Sequence, residues 1–214
     1  MNGLRGRTVV ITSGPTREPL DPVRYLTNAS SGRMGAALAS AALRRGAKVV
    51  VVAGPGAPVP ARARAVPVVT ALEMRRRTLA EARRADVVIA AAAVGDWRFA
   101  SVSTKKLKRS SRGLTLRLVP NPDIVAEVAR RRRGALPLVV GFALETHDWL
   151  KHAAGKLARK GLDLVVANEA RVLGSDRTRV ALVDAEGALV LAPMTKVRAA
   201  GAVLARVAEM LDAR

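Results

Sequence analysis

Six of the eight lysines in this chain fall in two short windows, Lys105, Lys106 and Lys108 in one and Lys151, Lys156 and Lys160 in the other. Arginine supplies 29 of the 37 cationic side chains. Lysine at these places therefore marks sites where a compact ammonium suits better than a planar guanidinium fork, as beside a phosphate. Lys156 and Lys160 are four apart and share a helix face, where two like charges cost a little stability unless an anion lies between them. Chance clustering on solvated faces is the alternative that composition leaves open. A second candidate is Ser30-Ser31-Gly32-Arg33-Met34-Gly35, where two hydroxyls, a flexible glycine and the N–H donors of a helix start converge as an anion seat. A plain capping turn would use the same residues.

Other chemistries are excluded by what the chain lacks. With no cysteine there is no thiol nucleophile, disulfide framework or Cys-ligated zinc. His147 and His152 are five apart and do not share a helix face, so they are not a metal pair. The formal charge of +20 invites a nucleic-acid reading. Against it, the arginines are scattered through Ala-rich helical stretches, and only 2% of the residues are aromatic, so bases would have little to stack on. No nucleic-acid partner is expected. No apolar run reaches the roughly 18 to 20 residues of a membrane span, and Met1 to Thr8 lacks the apolar core of a signal peptide. A cytoplasmic protein with no membrane association is expected.

The elements that must carry these residues alternate regularly. Arg7 to Thr12, Lys48 to Ala53, Asp86 to Ala93, Leu138 to Ala143 and Asp163 to Ala167 are short β-branched or apolar runs that read as buried strands. Between them, helices are expected from Met34 to Arg45, from the capping box Thr70-Ala71-Leu72-Glu73 to about Ala85, from Pro122 to about Arg133 behind Asn121, and from His147 to Lys160. Val180 to Val183 and Ala188 to Leu191 flank Asp184-Ala185-Glu186-Gly187 as a hairpin, and Thr195 to Leu211 closes the chain as a helix. This is an α/β chain: one domain over residues 1–214, with a doubly wound, Rossmann-like, mostly parallel sheet, helices on both faces and a small β-hairpin.

Two segments resist the alternation, the polar loop Ser13 to Arg33 and the basic, Ser-rich stretch Gly95 to Gly113. Loops this long in a compact domain usually bind something or move.

The first loop, SGPTREPLDPVRYLTNASSGRMG (Ser13 to Gly35), closely resembles the signature of phosphopantothenoylcysteine synthetases, the amide-forming enzymes of coenzyme A biosynthesis. The resemblance continues through AAAVGDWR (Ala91 to Arg98), KLKR (Lys106 to Arg109), NPDIV (Asn121 to Val125), VVGFALET (Val139 to Thr146), KLARKGLDLVVAN (Lys156 to Asn168) and GSD (Gly174 to Asp176). These blocks keep the family's order and spacing over nearly the whole chain.

The resemblance implies that 4′-phosphopantothenate attacks the α-phosphate of a nucleoside triphosphate, CTP in most bacterial members. Pyrophosphate leaves, and L-cysteine then displaces CMP from the acyl-cytidylate. It makes residues 13–33 the substrate loop and 95–113 a basic flap. By matched position, Lys106 is the flap lysine over the triphosphate and Asn28 the amide that bonds the acyl-nucleotide. Ala90, Ala91, Ala92, Asp96, Pro122, Asp123, Ile124, Val125, Phe142, Lys156 and Lys160 match the nucleotide pocket. Ser30, Ser31, Gly32 and Arg33 are expected at the substrate phosphate. Arg109 stands where the family more often has lysine, and Trp97 where tyrosine is common.

Mg²⁺ is expected with the triphosphate, with no ligands assigned, and no FMN is expected in this chain. A homodimer is expected, with the Val180 to Leu191 hairpin as a pairing edge. A flavin-dependent decarboxylase, in cis or in trans, is a further expected partner, since many bacterial members are fused behind one and this chain begins almost at its first strand. The competing reading is an NAD(P)-binding oxidoreductase on the same sheet topology. The sequence disfavours it: no GxGxxG follows the first strand, where Gly14 is succeeded by Pro15, and there is no Tyr-xxx-Lys pair.

Overall fold

The computed structural model describes residues 3–109, 111, 113–145, 147–169 and 177–214. In chain order the elements are β1 (Thr8–Ser13), β2 (Arg17–Pro19), β3 (Tyr25–Thr27), α1 (Arg33–Arg44), β4 (Lys48–Ala53), β5 (Arg64–Pro67) and α2 (Ala71–Ala82). Next come β6 (Val87–Ala90), β7 (Trp97–Phe99), β8 (Leu118–Pro120), α3 (Ile124–Arg131), β9 (Leu138–Glu145), α4 (Trp149–Lys160) and β10 (Leu164–Glu169). The last are β11 (Arg177–Thr178), β12 (Val180–Asp184), β13 (Gly187–Val190), β14 (Met194–Thr195) and α5 (Lys196–Asp212).

Eight strands form the central sheet in the order β13-β12-β10-β9-β6-β1-β4-β5. The pairings from β10 to β5 are all parallel, and β12 and β13 add an antiparallel margin. The doubly wound expectation is borne out. Alternation along β1 explains the layering: Val9 and Ile11 pack with Leu38 of α1 and Leu204 of α5 on one face. Val10 packs with Met74 of α2, Val128 of α3 and Ala153 of α4 on the other. The chain runs outward from β1 through β4 to β5 and then returns to β6 on the other side of β1, so the switch point lies between β1 and β6. No described helix is long and apolar enough to cross a membrane.

The two irregular segments turn out to be partly ordered by short strands. Within Ser13 to Arg33, β2 and β3 pair antiparallel. The hairpin is fastened to the domain by Glu18, buried, whose Oε1 accepts the Ala71 N–H at 2.9 Å. Within Gly95 to Gly113, β7 pairs antiparallel with β8, which lies beyond that stretch.

Two helix starts differ from expectation. α3 is capped by Asp123, whose Oδ1 accepts the Ala126 N–H at 3.1 Å, and not by Asn121. Asn121 is drawn instead to the flap base, where its Nδ2 donates to the Gly95 carbonyl at 2.8 Å and its N–H to the Asp96 carbonyl at 2.8 Å. α4 starts at Trp149 because Asp148 takes a left-handed conformation, φ 45°, that interrupts the helix on its N-terminal side.

Candidate active site

A cavity of about 370 Å³ opens at the carboxyl ends of the strands around the switch point. Thr12 from β1, Ala90 from β6 and Phe142 from β9 line it, with the start of α3 and one face of α4. Of the residues matched to a nucleotide pocket, Ala90, Ala92, Asp96, Pro122, Asp123, Ile124, Val125, Phe142, Lys156 and Lys160 line this one cavity, and Ala91 and Lys106 do not. A larger groove, about 1470 Å³, runs along α2 and α3 and is lined by arginines such as Arg75 and Arg131, both paired with Glu127. None of the candidate site residues lines that groove.

The cavity's small residues and its helix start are placed by backbone geometry. Thr12 Oγ1 accepts the Ala92 N–H at 3.2 Å, which holds the run after β6 against β1. Side chains at positions 90 to 92 end at Cβ, so a ligand can reach the backbone there. The α3 N-terminus adds N–H donors and the positive end of its dipole.

Two of the three lysines of α4 are already engaged. Lys160 Nζ lies 2.7 Å from Asp123 Oδ2, and Lys156 donates to the Phe142 carbonyl. Burial works against the Asp123 carboxylate, but the Lys160 hydrogen bond, the Ala126 N–H and the nearby Lys156 charge outweigh it and hold Asp123 below the usual carboxylate range. Lys151 does not line the cavity.

The loop from Ser13 to Arg33 meets the cavity at its rim. Asn28 Nδ2 donates to the Val94 carbonyl at 3.0 Å, and Val94 is a cavity residue. One amide N–H of Asn28 thus joins loop to rim. Ser30, Ser31, Gly32 and Arg33 lie at the start of α1 and outside the cavity. Gly32 is the N-cap at φ 67°, a conformation that favours glycine, and no side chain caps the helix. Ser30 Oγ accepts from the Gly32 N–H at 3.4 Å, and Ser13 Oγ donates to the Gly32 carbonyl at 3.2 Å. Gly35 lets α1 approach β1: a Cβ there would stand 2.2 Å from Ser13 Oγ.

Lys106 is exposed, with no ion pair among the described residues. Its neighbour Leu107 is tied to the loop from Ser13 to Arg33: the Leu107 N–H donates to Asp21 Oδ2 at 3.2 Å, and an Arg24 guanidinium nitrogen donates to the Leu107 carbonyl at 2.8 Å. Sequence reasoning missed Asp21, Arg24 and Thr12. Asp21-Pro22 carries the signal of an Asx turn, and Asp21 Oδ1 does accept the Val23 and Arg24 N–H groups, each at 2.9 Å. Nothing local points from there to Leu107. The GSD motif at 174–176, Thr146, and Ser110 and Arg112 of the flap lie outside the described residues.

A mostly parallel sheet with a cavity at its switch point defines an α/β domain of the doubly wound class. The chain belongs to the family described as DNA/pantothenate metabolism flavoprotein C-terminal domain, which residues 4–211 match. The motif resemblance is borne out. The coenzyme A biosynthesis bifunctional protein CoaBC of Escherichia coli K12 is 48% identical over 173 residues, 79% of this chain and 42% of that protein. Its namesake in Vibrio parahaemolyticus is 40% identical over 215 residues, 97% of this chain and 54% of that protein. This chain thus spans about half the length of these relatives. The crystal structure of the C-terminal domain of a CoaBC protein superposes with a TM-score of 0.86 at 32% identity, each chain covered in full.

Proposed function

We propose that this domain joins 4′-phosphopantothenate to L-cysteine, using CTP, in coenzyme A biosynthesis. The carboxylate of 4′-phosphopantothenate attacks the α-phosphorus, the bond to the bridging oxygen breaks, and pyrophosphate leaves. The cysteine amine then attacks the acyl carbon and CMP departs with the bonding pair. A carboxylate is a poor acyl donor because oxide is a poor leaving group, and cytidylation supplies a good one.

The observation that carries the reading is the convergence of the α3 N-terminus, Lys156 and Lys160 on one cavity at the switch point, with β7 and β8 rising from its wall at Asp96 and Asn121. In-line transfer asks for positioning and charge neutralisation more than covalent help. Phe142 packs the base, the backbone from Ala90 to Ala92 admits the nucleoside, and Lys156 and Lys160 meet the phosphates. Lys106 closes over the α-phosphate, where charge develops. Asn28, whose Nδ2 also lies 3.5 Å from the Ala93 carbonyl, steadies the acyl oxygen through its side-chain amide. Ser30, Ser31, Gly32 and Arg33 hold the phosphate of the pantothenate substrate at the α1 N-terminus.

Mg²⁺, when bound, neutralises charge on the leaving phosphates. Among the described residues no three His, Cys, Asp or Glu cluster. Asp96 is the cavity carboxylate that carries no ion pair among them. The exposed β13 supports pairing of two copies in the cytoplasm, and a decarboxylase unit is the expected companion of such a domain. The oxidoreductase reading has no support: β2 and β3 occupy the connection between β1 and α1, where a dinucleotide turn would have to be.

The test is an omission assay. Pyrophosphate release is expected with CTP, Mg²⁺ and 4′-phosphopantothenate together, and the amide product only when cysteine is added. Release that ignores the acid would end the proposal.

A further inference from the structure

The substrate loop and the flap, the two segments that the sequence sets apart, are latched by one buried carboxylate. Asp21 is 3% exposed and takes five hydrogen bonds on its two oxygens, from the N–H groups of Val23, Arg24 and Leu107 and from two nitrogens of the Arg24 guanidinium. The same guanidinium reaches on to the Leu107 carbonyl, so the Leu107 residue is held at both its donor and its acceptor. Two further bonds define the approach: the Ser103 N–H donates to the Leu20 carbonyl at 3.0 Å, and Ser103 Oγ donates to the Lys105 carbonyl at 2.6 Å. Lys106 is the residue between these pinned neighbours.

Asp21 lies outside the set of residues that the family resemblance assigns to substrate or nucleotide. It is seven positions before Asn28 on the same loop. A single anion therefore ties the loop bearing Asn28 to the segment bearing Lys106. The bonds need a full carboxylate: an amide has one acceptor oxygen and would turn an NH₂ toward N–H donors. The Arg24 hydrogen bond, against the opposing effect of burial and with the help of the three backbone N–H groups, holds the Asp21 carboxyl far below the usual range, so it is ionised wherever the enzyme works.

We infer that Asp21 is a positioning residue for the reaction: its carboxylate fixes the Leu107 backbone and through it the place of the Lys106 ammonium over the α-phosphate. The inference rests on the proposed ligase reading of the site.

The test compares the intact protein with Asp21→Asn, Lys106→Ala and the double variant in single-turnover pyrophosphate release at saturating CTP and 4′-phosphopantothenate. Asp21→Asn is expected to slow release at least ten-fold with the KM for CTP changed less than about three-fold. The double variant is expected to be no slower than Lys106→Ala alone, because a residue that acts through Lys106 has nothing left to lose. A merely structural role predicts that the two losses multiply, and that result overturns the inference, as does an unchanged Asp21→Asn rate.

Hydrogen exchange supplies a readout independent of turnover, with the Leu107 amide slow in the wild type and fast in Asp21→Asn. A fast Leu107 amide in the wild type also overturns it. Should Asp21→Asn fail to fold, Arg24→Gln removes the guanidinium bonds to Asp21 and to the Leu107 carbonyl, and the same comparison with Lys106→Ala decides. If the wild type shows a slow Leu107 amide but no pyrophosphate release, the ligase reading fails and the positioning claim falls with it, while the latch stands.

Discussion

Asp123 and Lys160 close on each other at 2.7 Å across the cavity, joining the first turn of α3 to the last turn of α4. The carboxylate does two things at once, capping α3 through the Ala126 N–H and neutralising one of the two lysines aimed at the anion seat. On the proposed ligase reading, an incoming triphosphate would share Lys160 with Asp123.

Lys160→Ala leaves the Asp123 charge facing the phosphates. The KM for CTP is expected to rise about ten-fold, equivalent to about 1.4 kcal/mol. Adding Asp123→Asn to that variant should recover part of the loss, since asparagine caps a helix as well as aspartate does and carries no charge. Steady-state kinetics on the single and double variants checks this, and an unchanged KM in Lys160→Ala would remove the lysine from the nucleotide site.

The parts of the fold set by local rules were legible in the sequence. Lys48–Ala53 is a strand end to end, as its run of valines requires, and Thr70 and Glu73 form the reciprocal capping bonds that their spacing announces. The elements that were missed have two to four residues each. β7 and β8 are stabilised by pairing across about twenty residues of chain, and β5 is largely exposed, opening on Arg64 and ending on Pro67. Such strands carry no periodic signal, because the partner and not the pattern makes them.

The site divides in the same way. The helix start near Asp123 and the lysine pair of α4 follow from spacing. The window holding Lys106, exposed and unpaired among the described residues, is marked by lysine clustering, and its role over the triphosphate comes from family resemblance alone. The latch from Asp21 to Leu107 joins residues 86 positions apart and is visible only once the chain is folded.

Gly35 is required by contact. A methyl group there would stand 2.2 Å from Ser13 Oγ and 2.6 Å from Ser13 Cβ, so α1 must move off β1. Gly35→Ala is expected to cost about 1 to 3 kcal/mol of stability, as overpacking typically does. Denaturant unfolding measures it; stability equal to the wild type would show that the contact between α1 and β1 is loose.

Glu127 gives the fold a pH dependence of definite sign. The Arg75 hydrogen bond lowers its carboxyl pKa, burial opposes, and the Arg75 and Arg131 charges add to the lowering. A carboxylate with a depressed native pKa contributes stability that is fully present above its unfolded value, about 4.3, and is lost as pH falls toward the native value. Unfolding midpoints from pH 7 to pH 3 should fall on the acid side, and the fall should be shallower in Glu127→Gln. Equal slopes would mean that the Arg75–Glu127 pair does not persist in solution.

The claim on which the rest depends is that an acid is activated by nucleotidyl transfer in the switch-point cavity. Its most direct measurement is a quench of the protein with α-labelled CTP, Mg²⁺ and 4′-phosphopantothenate but no cysteine. One equivalent of labelled acyl-cytidylate per chain is expected, formed only with the acid present and chased to CMP and amide when cysteine is added. Label that remains CTP, or that appears as CMP without the acid, would contradict it.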